Sequence, residues 1–72
     1  GFSFADASIQ AIAAEVERRF GVSITVRPNV EARPVTLQVR DAEGPDSLLR
    51  DLCRAAGCQV ESTTTGFVIQ PR

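Results

Sequence analysis

Two stretches of this chain alternate apolar and polar residues with a period of two: Val22-Ser23-Ile24-Thr25-Val26-Arg27 and Val35-Thr36-Leu37-Gln38-Val39-Arg40. That period predicts strands with one wet face. Two other stretches repeat at helical spacing. Ile9, Ile12, Ala13, Val16 and Phe20 form the first stripe, with Gly21 as its stop; Leu48, Leu49 and Leu52 form the second, stopped by Gly57. The first helix is expected from about Ala7 to Arg19, capped by Asp6 or Ser8. Pro45 suits the opening turn of the second.

Shorter signals complete the order. Phe2-Ser3-Phe4 reads as a short strand, and Pro28-Asn29 begins a loop to Pro34 in which Val30 pins the turn to the core. Cys58-Gln59-Val60-Glu61, a polar turn from Ser62 to Gly66, and Phe67-Val68-Ile69-Gln70 read as a closing hairpin. The expected fold class is α+β, in the order β-α-β-β-α-β-β. A weak internal echo accompanies it: Gly21 matches Gly57 at an offset of 36, and with it Ile12 matches Leu48, Val16 matches Leu52 and Val22 matches Cys58. Chance similarity between two amphipathic units is the competing explanation.

Composition narrows the function more than the fold. The chain has 72 residues, enough for one domain with a marginal core, and 43% of them are hydrophobic. It has the look of a piece of a longer protein, and its apolar runs are far too short to span a membrane. Net charge is −1, from nine acids and eight arginines with no lysine, which gives no basic face for nucleic acid. The chain also shows no Gly-x-x-Gly clamp and no aromatic-bearing strand of an RNA-binding type. A small nucleic-acid-binding domain is therefore the remote alternative.

Histidine is absent, so the commonest general base and metal ligand is missing. Of the acids, Glu15, Glu17, Asp46 and Asp51 fall at helix edges and Asp41 and Glu43 in a loop, where carboxylates are ordinarily solvated. General acid/base work needs carboxylates converging in a pocket. No catalytic residue, cofactor site or metal site is expected, and the chain reads as a non-enzyme.

Cys53 and Cys58 are the only cysteines, bracketing Gly57. Zinc needs about four ligands, and a redox motif of the thioredoxin kind separates its cysteines by two residues rather than four. Two readings stay open: a pair of small buried thiols, or a disulfide across the helix stop. If Gly57 is the left-handed residue after the helix, these are the two positions whose side chains meet in a Schellman ending.

The patterned segments resemble the short N-terminal domain shared by secretins and TonB-dependent transducers, a small periplasmic module of bacterial envelope proteins. Phe2 to Ile9 is similar to its opening strand and helix start, Phe20-Gly21-Val22-Ser23-Ile24-Thr25-Val26 to its "tGvnivv" element, and Val35 to Ala42 to its "vtl-v-d-v" strand. Leu48 to Leu52 with Gly57-Cys58-Gln59-Val60, and Gly66-Phe67-Val68-Ile69, match the remainder. Phe4 to Ile9 leans toward the secretin branch; the periplasmic part of anti-sigma regulators forms a third branch. The resemblance implies two helices packed between two small sheets, a periplasmic location within an outer- or inner-membrane protein, and docking rather than chemistry. The implied partner is an envelope protein, either an inner-membrane secretion component or an anti-sigma regulator, with no direct insertion of this domain into the membrane. An oxidising periplasm favours a disulfide.

A small sheet with free edges can accept a partner strand by main-chain hydrogen bonds. Thr25, Arg27, Gln38 and Arg40 are the outward residues of what read as the two central strands. Val68 is an apolar residue where alternation calls for solvent. These five are the candidate interface.

Overall fold

The structure is a computed structural model that describes residues 2–30, 33–39 and 44–72. Its elements are β1 (Phe2–Ala7), α1 (Ile9–Phe20), β2 (Ser23–Val26), β3 (Val35–Val39), α2 (Pro45–Ala56), β4 (Cys58–Ser62) and β5 (Gly66–Pro71). The fold is α+β, with two helices and two sheets. β1 and β3 pair antiparallel; the other sheet runs β2-β5-β4, parallel between β2 and β5 and antiparallel between β5 and β4.

The helices begin and end where local chemistry requires. Ser8 stands in extended conformation (φ −73°, ψ 155°), and its hydroxyl accepts the Ala11 amide at 3.0 Å, satisfying one orphan donor of the first turn. Asp6 is not the cap. β1 instead runs on to Ala7 through a bulge, since Phe4 lies opposite Leu37 and Ala7 opposite Val35. The extra residue is absorbed at Asp6, whose φ of 50° is a left-handed conformation that aspartate tolerates better than most. Its amide donates to Thr36 Oγ1 at 3.3 Å.

Both helices have twelve residues, the second beginning 36 positions after the first, at residues 45 and 9. Both stop at a left-handed glycine whose amide bonds back four residues: Gly21 (φ 65°) to the Glu17 carbonyl at 2.9 Å, and Gly57 (φ 78°) to the Cys53 carbonyl at 2.7 Å. The chain is thus two similar strand-helix-strand units followed by β5. Their first strands pair with each other, and their last strands flank β5.

The core lies between the sheets. Ile9, Ile12 and Val16 from α1 and Leu48, Leu49 and Leu52 from α2 are fully buried, joined by Val30, Val35, Cys53, Cys58 and Ile69. Phe4 and Leu37 close it from the two-stranded sheet; Ile24, Val26, Val60 and Phe67 close it from the other. Each fully buried leucine or isoleucine contributes roughly 1.5–3 kcal/mol relative to exposure, a large share of what so small a domain can muster. Val30 holds the loop after β2 to this core, with its amide donating to the Arg27 carbonyl at 3.2 Å. Gly66 is needed for another reason. A side chain there would drive its Cβ into the Ser23 backbone, 2.8 Å from the carbonyl carbon, where β2 meets β5.

Candidate protein-docking surface

The five candidate residues do not form one surface. β5, and neither β2 nor β3, is the central strand: β2 is an edge of the three-stranded sheet, and β3 belongs to the other sheet. Alternation says which face a side chain takes but not which strand lies beside it, so Thr25 and Gln38, read as lying on two central strands, belong to different sheets. Thr25 and Val68 do come together, as direct partners in the β2–β5 register, with Glu61 opposite Val68 on β4. Arg27, exposed, continues the same strand. Gln38 stands opposite Ser3 on the two-stranded sheet. Arg40, like Asp41 and Glu43, lies outside the described residues.

The outer face of the three-stranded sheet is therefore a polar field around one valine. Val68 is half-buried between its cross-strand neighbours rather than freely exposed, and no large hydrophobic side chain is exposed among the described residues.

The flanking strands differ at their free edges. Arg27 donates its amide to the Ile69 carbonyl at 2.9 Å, so alternate residues Ser23 and Thr25 also turn their main chain toward β5. Ile24 and Val26 then face outward. Here Glu17, projecting from the last turn of α1, accepts the Ile24 amide on Oε2 at 2.9 Å in a part-buried hydrogen bond. On the other side Thr63 donates to the Gly66 carbonyl at 2.7 Å, which turns Gln59 and Glu61 toward β5 and leaves Val60 and Ser62 facing outward. Among the described residues, no side chain meets these two amides.

The start of β4 is held differently. Cys53 and Cys58 are joined by a disulfide, with Cα atoms 4.5 Å apart and both residues buried. The Gly57 amide bonds the Cys53 carbonyl, the single bond of a plain left-handed ending rather than the Schellman pair expected, and the disulfide ties Cys53 to the residue just past that stop. The thioredoxin-like and zinc readings have no counterpart in this arrangement.

The described carboxylates are spread over the two helices and the strands β1 and β4. Glu15 pairs with Arg18 and Arg19, Asp46 with Arg50, and Asp51 with Arg54. The hydrogen bond from Arg18, with that from Arg19, holds Glu15 below the ordinary carboxylate range. Exposed pairs of this kind contribute little to stability. Among the described residues, no three histidines, cysteines or acids gather where a metal could sit, and no polar side chain is buried.

Three residues of this surface were not among the interface candidates: Val60, Ser62 and Glu17, the last read as a solvated helix-edge carboxylate and found instead in a part-buried hydrogen bond. Glu17 had one usable signal, its place four residues before Gly21, matching Cys53 before Gly57. For Val60 and Ser62 the deciding fact is strand order, which no local pattern carries.

No curated protein and no solved structure matches the chain. The model of the family described as FecR, C-terminal, matches residues 1–69. That match overturns the assignment to the secretin and transducer N-terminal domain, including the lean toward secretins drawn from Phe4 to Ile9. The motifs behind that assignment, two glycine stops and alternating strands, encode a layout rather than a lineage. From its second residue to Ile69, the whole hydrophobic framework falls within the matched span, and the chain belongs to the FecR C-terminal family.

Proposed function

We propose that this chain is the periplasmic, C-terminal part of an anti-sigma regulator in cell-surface signalling, and that it works by docking rather than catalysis. Its partner in this reading is an envelope protein, the periplasmic signalling domain of a TonB-dependent transducer. The observation that carries the proposal is the family match over residues 1–69. The side chains are consistent with it: Glu15, Asp46 and Asp51 are held in surface ion pairs and the two cysteines in a staple, and a small sheet can serve as a recognition element.

The test is made in cells with the full-length parent protein and a reporter gene read by the cognate sigma factor. Excising residues 1–69 is expected to abolish the reporter's response to the transducer's ligand while the parent stays at normal abundance. An unchanged response would overturn the proposal. Val68→Arg, on the outer sheet face, is expected to fold and to blunt that response; an unaltered response would remove Val68 from the interface.

A further inference from the structure

The two sides of the three-stranded sheet offer very different openings to a partner. On β2 one of the two outward amides, that of Ile24, is already bonded to Glu17 while that of Val26 is not, so an incoming strand would have to displace a carboxylate to pair along this edge. On β4 the outward groups of Val60 and Ser62 have no partner among the described residues. β4 is also held at both ends, by the Cys53–Cys58 disulfide at its start and the Thr63–Gly66 hydrogen bond just past its end. An edge fixed in this way loses little freedom when it is paired, which favours association. In the other sheet, β1 is kinked by the bulge at Asp6, a device that spoils a strand edge for pairing. The β3 edge is bounded by residues 31–32 and 40–43, outside the described residues.

From this asymmetry we infer that the partner docks as an extended strand on the free edge of β4, through main-chain hydrogen bonds to Val60 and Ser62, and that Glu17 closes the β2 edge against the same docking. The inference rests on the proposed docking function and adds its site. The occupant is a segment of the partner's main chain, because what the edge offers is amide hydrogens and carbonyl oxygens at strand spacing. Side-chain selectivity would come from Gln59 and Glu61 on the outer face beside that edge.

The experiment titrates the full chain with the purified signalling domain of a TonB-dependent transducer from the same organism. Ser62→Pro removes an outward donor without touching the β4–β5 ladder and should weaken binding about tenfold. Val26→Pro, its counterpart on β2, should bind like the wild type. Glu17→Ala, which uncovers that edge, should keep its affinity at β4 and take up additional partner on β2. A Glu17→Ala chain with wild-type stoichiometry would overturn the closing role of Glu17. Thermal midpoints accompany each titration. If Ser62→Pro loses its cooperative transition, amide chemical shifts of the wild-type chain decide: those of Val60 and Ser62 should move on adding the partner, and that of Val26 should not. Weakening by Val26→Pro alone, equal weakening by both proline variants, or shifts confined to β2 would overturn the edge assignment while leaving the docking function intact. A wild-type chain that does not bind would overturn both.

Discussion

The ends of the two helices make the most instructive comparison in this molecule. Each stops at a left-handed glycine, Gly21 or Gly57, whose amide bonds the carbonyl four residues back. Each then launches a strand that flanks β5. What stands four residues before the glycine differs. In the second unit it is Cys53, which reaches the first residue of the next strand and bonds it covalently. In the first it is Glu17, which passes over the corresponding Val22 and takes the amide of Ile24 instead. One backbone device thus supports two fastenings, and they leave opposite consequences at the strand edge. The disulfide is spent on side chains and leaves β4 open; the carboxylate is spent on main chain and closes β2.

The largest expected effect probes whether the two units share one core. Val16 and Leu52 are equivalent and fully buried. Leu52→Ala should cost about 3–4 kcal/mol and Val16→Ala about 2, read by urea unfolding. If one substitution were nearly silent, the units would not be equal partners in the core. Next comes the fastening itself. Replacing both cysteines by alanine should cost roughly 2 kcal/mol, the loop-entropy value for so short a closure, whereas Glu17→Ala should cost about 1–2 kcal/mol through a lost charge-assisted hydrogen bond. A cysteine-free variant that is indistinguishable from wild type would reduce the staple to a packing contact.

Smaller still are the glycine stops. Gly21→Ala and Gly57→Ala should each cost about 1 kcal/mol, because a Cβ meets nothing within 4 Å at either site and only the backbone conformation is penalised. Unequal costs would show that the stops are not interchangeable. The smallest effect lies on α1 alone. Glu15 is held below the usual carboxylate value by Arg18 and then Arg19, so its contribution is present above the unfolded pKa and is lost as pH falls through the folded one. Glu15→Gln should flatten the acid limb of the stability curve by a small amount, and salt should do the same to the wild type.

Much of this was legible in the sequence, and the remainder was hidden for definite reasons. The helix stripes, the glycine stops, the alternating strands and the hairpin turn are local signals, and each element formed within a few residues of where its pattern put it. β1 ran past Phe4 to Ala7 because a bulge breaks alternation, and Ala5-Asp6 carries no pattern of its own. Two small sheets were expected from the family resemblance and are found; which strands share a sheet was hidden, because strand neighbours are chosen by the whole chain. That gap made central strands of β2 and β3, the strands of Thr25 and Gln38, and concealed the difference between the β2 and β4 edges. The two cysteines were visible as a pair, and their geometry followed from Gly57; the matching role of Glu17 shows only when the two units are superimposed. The motifs reached the anti-sigma regulators only as a third branch behind the secretins, because hydrophobic period and glycine stops are set by layout.

The most direct test of the central claim is a side-by-side titration of the full chain. One arm uses the periplasmic signalling domain of a TonB-dependent transducer, and the other the periplasmic domain of an inner-membrane secretion component, both from the same organism. A docking regulator of the FecR type should give saturable binding in the first arm and none in the second. Binding only in the second arm, or in neither, would contradict it.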